Sequence, residues 1–323
     1  MNINNIKNKK ILVIGDIILD KYIFGDVSRL SPEAPIPILN HEKTDFRLGG
    51  AANVANNISS LGGKAYLAGV IGNDKESEIL TNLLKENKIT GLTIIDKSRS
   101  TTIKERVLAR YSGHPYQQLL RIDREHTTDI TENIEKNVLA NIKSVIDKVS
   151  CVVFSDYNKG LLTKNLISKI KEISNEKTIM VNVKPPKGEM FNGVTWIISN
   201  LAETKKELGL ENSNHGNKIE TLGYLFMKKF KPKHFLMTAG SDGMFLYTKE
   251  NCIHIKTTAR DVADVSGAGD TVVAALSLAI ASKLDSFNAV KIANCAAGLS
   301  VEKLGTSTIS LKELSQAIKR NNL

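Results

Sequence analysis

Between Glu132 and Met237 short apolar runs alternate with amphipathic helix-like segments, and this alternation restricts the fold more than any other feature. Helices are expected over 132–147, 163–175, 203–208 and 216–229, with strands at Cys151–Phe154, Thr178–Val183, Trp196–Ile198 and His234–Met237. Strands that are apolar throughout are buried on both faces, and helices between them act as crossovers to parallel neighbours. The expectation is an α/β chain whose mostly parallel sheet carries helices on both faces. Right-handed crossovers then gather the C-terminal strand ends on one rim, where sites in open sheets lie.

The N-terminal part departs from this rhythm. Ile11–Ile14 reads as a buried strand ending at Gly15-Asp16, but prolines at Pro32, Pro35 and Pro37 exclude a helix or a central strand nearby. Edge strands and turns standing off the sheet are expected instead. A helix over 51–61, a strand over 65–71 and a helix over 75–87 follow, then β-rich pieces at 92–95, 101–108 and 118–122. One domain over residues 1–323 is expected, with a small β lid drawn from about 20–48 and 92–123. Tyr22, Phe24, Ile36 and Ile38 are expected to face water on that lid, and so point to a homodimer. Near the C-terminus a hairpin (244–247 and 252–256) precedes alanine-rich helices over 268–283 and 286–302.

Lys and Arg total 44 against 34 acidic residues, a net charge of +10. The cations are scattered along helix-like faces rather than blocked with aromatics, so no nucleic-acid partner is expected; sites for phosphorylated substrates fit the excess. Three separated cysteines form neither a disulfide framework nor a zinc pattern, which suits the cytoplasm. No apolar stretch approaches the roughly 18 residues of a membrane span, so no membrane partner is expected either.

Chemistry concentrates at Asp264-Val265-Ser266-Gly267-Ala268-Gly269-Asp270-Thr271, which runs straight into an apolar helix. Crowded N–H groups and the positive helix end form an anion site. A carboxylate there is costly beside a phosphate, unless it takes a proton during phosphoryl transfer. Other polar residues follow strands: Asp16 and Asp20, Gly49-Gly50 with Asn53, Ser155-Asp156, Lys184, Asn200 with Glu203, and Thr238, Gly240 and Gly243. Singly, each reads as a cap or turn former.

Together these segments resemble the ribokinase, or PfkB, family of carbohydrate kinases over nearly the whole chain. Phe46-Arg47-Leu48-Gly49-Gly50-Ala51-Ala52-Asn53-Val54-Ala55 matches its N-terminal signature, Asp264–Thr271 its C-terminal one, and Asn200-Leu201-Ala202-Glu203 its N-x-x-E element. The resemblance implies a ribokinase-like three-layer α/β/α fold with a lid. Finer segments are similar to kinases of D-glycero-β-D-manno-heptose 7-phosphate: 15–22, 28–37, 120–123, Ser155-Asp156-Tyr157-Asn158-Lys159-Gly160 and 303–308. Such kinases often carry a nucleotidyltransferase domain, and with Leu323 as the last residue the stand-alone form is expected. Two stretches depart from that pattern: Asn182-Val183-Lys184 replaces Asp-Pro-Lys, and 110–116 is longer than the usual turn.

By that resemblance ATP is the phosphoryl donor, and Asp270 is the base for the anomeric hydroxyl. Gly267, Ala268 and Gly269 supply anion-hole N–H groups. Asn200 and Glu203 organise Mg²⁺ through its waters. Thr238, Gly240, Gly243 and Asn294 border the nucleotide, while Asp264, Ser266, Ser300, Lys303 and Gly305 match a monovalent-cation (K⁺) site. Asp20, Gly49, Gly50 and Asn53 take sugar hydroxyls, and Lys104, Arg106, Arg121, Lys159 and Lys184 form the pool for a substrate phosphate, with Asp156 placed to orient them. The competing readings are another sugar or sugar-phosphate kinase of the family, a non-catalytic sugar- or nucleotide-binding regulator, and a nucleic-acid-binding protein.

Overall fold

The computed structural model describes residues 3–111, 114–182, 184–211, 218–303 and 305–321. Residues 216 and 217 of one expected helix, Ser112 and Gly113 of the long turn, and Val183 and Leu304 lie outside them. The first strand, β1 (Lys10–Gly15), is followed by β2 (Ile17–Leu30), β3 (Pro37–Gly50), α1 (Ala51–Ser60), β4 (Lys64–Ile71), α2 (Lys75–Glu86) and β5 (Thr90–Ile95). Next come β6 (Thr102–Arg110), β7 (Gln117–Arg124), α3 (Glu132–Lys143), β8 (Cys151–Ser155), α4 (Lys164–Ile173), β9 (Thr178–Asn182), β10 (Trp196–Asn200) and α5 (Leu201–Glu207). The described residues end with α6 (Ile219–Phe230), β11 (His234–Thr238), β12 (Met244–Tyr247), β13 (Cys252–Ile255), α7 (Ala268–Ala281), α8 (Ser286–Val301) and α9 (Leu311–Arg320).

Nine strands form one sheet in the order β13-β12-β11-β10-β9-β8-β1-β4-β5. All neighbours are parallel except the β12 pairings, which are antiparallel. Successive residues of β1 and β8 bury themselves alternately in two cores: Ile11, Val13, Cys151 and Val153 on one face, Leu12, Ile14, Val152 and Phe154 on the other. Both faces are therefore covered, which accounts for the unbroken apolar runs. Helix α7 is buried around much of its girth, and its alanines and valines let the sheet, α1 and α8 approach closely.

From β1 the chain proceeds toward β4 and β5; from β8 it proceeds the other way to β9, β10 and β11. Strands β1 and β8 are thus the topological switch point, and a crevice opens beyond their C-terminal ends. A second, four-stranded sheet in the order β3-β2-β6-β7 rises from that rim. Asp16 alone separates β1 from β2.

This lid differs from expectation in two respects. The piece at 92–95 lies in β5, the edge of the main sheet paired parallel to β4, so the lid's second half starts at Thr102. Strand β2 is interior, flanked by β3 and β6, and the prolines are confined to the turn after it and the first residue of β3. Tyr22 and Phe24 are consequently 3% and 5% exposed, packed with Leu108 and Tyr116 instead of facing water. The apolar surface of the lid lies at Leu30, Ile36, Leu119, Leu120 and Ile122.

Candidate active site

The first turn of α7 reaches the crevice, preceded by Gly267 in the left-handed region at φ +79°. A Cβ there would stand 2.8 Å from Asn53 Nδ2, so both conformation and space call for glycine. Ala268 donates its N–H to Val265 O at 3.2 Å, which removes it from the expected anion-hole donors in this state. Asp270 is buried in the crevice. Asn53 Nδ2 donates to its Oδ2 at 2.8 Å and the Tyr157 hydroxyl to its Oδ1 at 2.5 Å. Burial raises the Asp270 carboxyl to about 6, with hydrogen bonds from Tyr157 and Asn53 and the nearby Lys184 acting in the opposite sense. Such a group is ionised at neutral pH yet basic enough to accept a proton.

A cavity of about 140 Å³ opens beside it, lined among others by Asp20, Gly50, Lys104, Arg106, Gly267 and Thr306. Asp20 reaches it from β2, but its Oδ1 already accepts from Arg106 Nη1 at 2.5 Å. Gly49 lets the β3 backbone pass close to this carboxylate, since a Cβ would lie 2.6 Å from Asp20 Oδ2. Asn53 is committed at both ends of its amide, to Asp270 and to Asn57. Its second amide hydrogen has no partner among the described residues, so the expected contact with a sugar hydroxyl would be made beside the bond to the acid.

The expected cations separate by their partners. Arg121 binds Asp123, Lys159 binds Glu125, and Lys184 binds Glu203 while its ammonium stands 5.6 Å from the Tyr157 ring centroid. Lys104 is half-buried and, among the described residues, forms no ion pair; its ammonium lies 5.8 Å from the same ring. Burial lowers the Lys104 pKa from its ordinary 10.5 against the pull of Asp20 and Asp123, and Arg121 and Lys159 lower it further. Asp156 is buried and ion-paired to Lys187 at 3.1 Å, outside the expected cluster.

On the other side of α7, a cavity of about 370 Å³ is lined by Thr238, Gly240, Gly243, Gly269 and Ala297, with apolar walls from Met244, Val262 and Val265. Asn200 and Thr238 are register partners at the ends of β10 and β11. Asn294 does not line this cavity. Its amide donates to Lys256 O at 2.7 Å and ties down the segment that does. Asn200 and Glu203 form a reciprocal cap of α5: Glu203 N–H donates to Asn200 Oδ1 at 2.8 Å and Asn200 N–H to Glu203 Oε2 at 3.1 Å.

Among the described residues no cluster of three or more His, Cys, Asp or Glu could cage a metal. A divalent ion held by phosphates, waters and one carboxylate needs no such cage; Glu203 is the carboxylate expected for that role, and its two oxygens are engaged by Lys184 and by the Asn200 N–H. Asp264 accepts N–H bonds from Ser266 at 2.8 Å and Gly305 at 2.9 Å. Burial would raise its pKa, but these donors outweigh it and hold the carboxyl below its ordinary value. Ser300 O receives the Lys303 N–H at 3.2 Å, and Lys303 Nζ turns away to Thr308 O and Glu313.

Sequence reasoning did not assign Tyr157 or Thr306 a role. Tyr157 follows a strand-end Ser-Asp pair, which signals the rim, but nothing in a one-dimensional pattern says how far a phenol reaches. Thr306 Oγ1 approaches Asp20 Oδ2 at 3.4 Å across 286 positions.

A ribokinase-like α/β fold with this rim is that of the carbohydrate kinases. The chain belongs to the pfkB family of carbohydrate kinases, whose family model matches residues 8–313. It is 37% identical over 317 residues to the bifunctional protein HldE of Helicobacter pylori strain J99, covering 97% of this chain and 67% of that protein. The HldE protein of Desulfatibacillum aliphaticivorans is 35% identical over 314 residues, 96% of this chain and 63% of its own length. The chain therefore spans about two thirds of these relatives. Among solved structures, Escherichia coli phosphofructokinase-2 in complex with potassium aligns at TM-score 0.76 and 16% identity, over 98% of this chain and all of that one. Arabidopsis thaliana ribokinase complexed with ribose and ATP aligns at 0.71 and 16% identity, over 97% and 99%. The enzyme is a phosphotransferase acting on a sugar hydroxyl.

Proposed function

We propose that the chain phosphorylates the anomeric hydroxyl of D-glycero-β-D-manno-heptose 7-phosphate with ATP, giving the 1,7-bisphosphate for ADP-heptose and lipopolysaccharide core synthesis. The observation that carries the choice of an anionic sugar is Lys104. Its half-buried ammonium forms no ion pair among the described residues: its register partners Asp20 and Asp123 are held by Arg106 and Arg121, and Lys159 is near, so the surplus positive charge suits a phosphate better than a neutral sugar. The similarity to HldE proteins along the whole chain and the segments shared with heptose 7-phosphate kinases support the same reading.

In this mechanism Asp270 takes the proton of the attacking hydroxyl, held for the task by Asn53. Gly267 and Gly269 present backbone N–H groups to the transferred phosphoryl, and the α7 dipole favours its charge. Mg²⁺ bound with the nucleotide would neutralise phosphate charge, with Glu203 holding its waters. K⁺ is proposed beside Asp264, where it would brace the loop from 264 to 267. Closing of the lid over the sugar would exclude water from the transfer.

A substrate panel with coupled ADP detection tests this reading. Turnover of heptose 7-phosphate is expected; turnover of fructose 6-phosphate or ribose with silence on the heptose would replace it with another sugar kinase. A homodimer is also proposed, through Leu30, Ile36, Leu119, Leu120 and Ile122 of the lid. Light scattering across a dilution series that finds only monomer would reject it.

A further inference from the structure

Among the described residues, Tyr157 is the side chain outside both signatures that hydrogen-bonds the buried acid. Its hydroxyl donates to Asp270 Oδ1 at 2.5 Å, and its ring lies beside the ammonium groups of both Lys104 and Lys184. A tyrosine buried only for packing satisfies its hydroxyl on a nearby carbonyl, as Tyr247 does on Ile219 O at 3.0 Å. Tyr157 reaches a carboxylate instead, 113 positions away.

The loop bearing it is built to hold that position. Asp16, at the hinge between sheet and lid, accepts the Tyr157 N–H at 2.8 Å and the Lys159 N–H at 3.1 Å. Asn158, in the left-handed region at φ 58°, donates to Pro185 O at 3.2 Å and so joins the loop to the segment carrying Lys184. Two anchors, Asp16 and the Pro185 segment, thus hold the loop that places the phenol at one oxygen of Asp270 while Asn53 takes the other.

We propose that Tyr157 is a positioning residue for the base: its phenol orients the Asp270 carboxylate toward the sugar hydroxyl and holds it in its proton-accepting form. This rests on Asp270 being the proton acceptor. A donor to the charged form of an acid favours that form, which offsets the burial that would otherwise protonate it. Tyr157 is itself pushed well above its ordinary 10, by burial first and by Asp270 second, so it stays a donor. The other groups facing Asp270 are Asn53 from α1, Asp20 from β2, Lys104 and Arg106 from β6, and Lys184 beyond β9. Neighbouring cations on the ring reinforce the O–H dipole.

The test is the Asp270 carboxyl titration, followed by carbon-13 NMR in the unliganded protein, for wild type and Tyr157→Phe. Loss of a hydrogen bond to a charged group should raise the midpoint by about one pH unit. With the sugar phosphate that wild type turns over, the kcat/KM deficit of Tyr157→Phe should be about fivefold larger at pH 6 than at pH 9. A midpoint moved by less than about 0.3 units overturns the proposal. Should Tyr157→Phe fail to fold, 3-fluorotyrosine at 157 keeps the shape and strengthens the donor: the midpoint must fall, and an unmoved or raised one overturns the proposal. The titration needs no substrate, so it is decided separately from the functional reading, which fails if wild type turns over none of the panel sugars.

Discussion

Asn53 Nδ2 lies 2.8 Å from Asp270 Oδ2, a buried hydrogen bond across 217 positions that joins the start of α1 to the start of α7. It unites the two signature segments into one device. Helix α1 begins at Ala51, directly after Gly50, the last residue of the lid strand β3 and its N-cap at φ +56°, so the amide on α1 is set by the lid's own attachment. The lid is therefore tied to the acid by one covalent path and one hydrogen bond.

Replacing Asp270 by asparagine keeps the shape and removes the proton acceptor. Turnover should fall by about 10²–10⁴, the contribution of a positioned general base, while ATP affinity measured by calorimetry stays within about twofold. Near-normal turnover would dismiss the assignment.

The pH dependence follows from the raised Asp270 carboxyl, about 6 against an ordinary 3.8. With Asp270 as the proposed base, activity requires its ionised form, so kcat/KM should rise through pH 6 and level off above it. Stability responds in the opposite sense, because the folded state binds this proton more tightly than the unfolded chain. The contribution is fully present below 3.8 and lost as pH rises through about 6. Urea unfolding at pH 5 and pH 8 should show Asp270→Asn losing less stability over that interval than wild type.

Much of this was legible in advance, and the exceptions share a cause. Alternating runs located β8 to β11 because burial on both faces leaves a signature in every residue, and the glycines of Asp264–Thr271 marked the turn that opens α7. The lid was less readable. Tyr22 and Phe24 alternate as they would on an exposed edge, and only pairing of β2 with both β3 and β6 buries them. The bond from Asn53 to Asp270 was not foreseen, because a motif records which residue is present, not which neighbour its amide faces. Tyr157 went unassigned for the same reason: its partner is fixed by the crossover geometry of β8 and α7.

Gly267→Ala should show how tightly this geometry is held. The left-handed φ of +79° costs an alanine about 1–2 kcal/mol, and its Cβ would press on Asn53 Nδ2 at 2.8 Å. A drop in kcat of more than about tenfold is expected, with melting lowered accordingly. Gly269→Ala is the control for stability, since its Cβ would meet nothing within 4 Å. Equal destabilisation by both would contradict this account.

Lys104 separates the choice of substrate from the chemistry. Its ammonium lines the cavity beside Asp270 among Arg106, Arg121 and Lys159 and forms no ion pair among the described residues, because Asp20 and Asp123 opposite it are held by Arg106 and Arg121. Lys104→Met keeps the apolar stem and removes the charge, so the fold should be unharmed and slightly stabilised by loss of a half-buried cation. If the ammonium meets the substrate's phosphate, KM for heptose 7-phosphate should rise by about 10–100-fold, the loss of one charge-assisted hydrogen bond, while KM for ATP does not move. Steady-state kinetics with each substrate varied in turn measures both. An unchanged KM for the sugar phosphate would assign recognition of its phosphate to Arg121 or Lys159, each of which would first have to release its carboxylate partner.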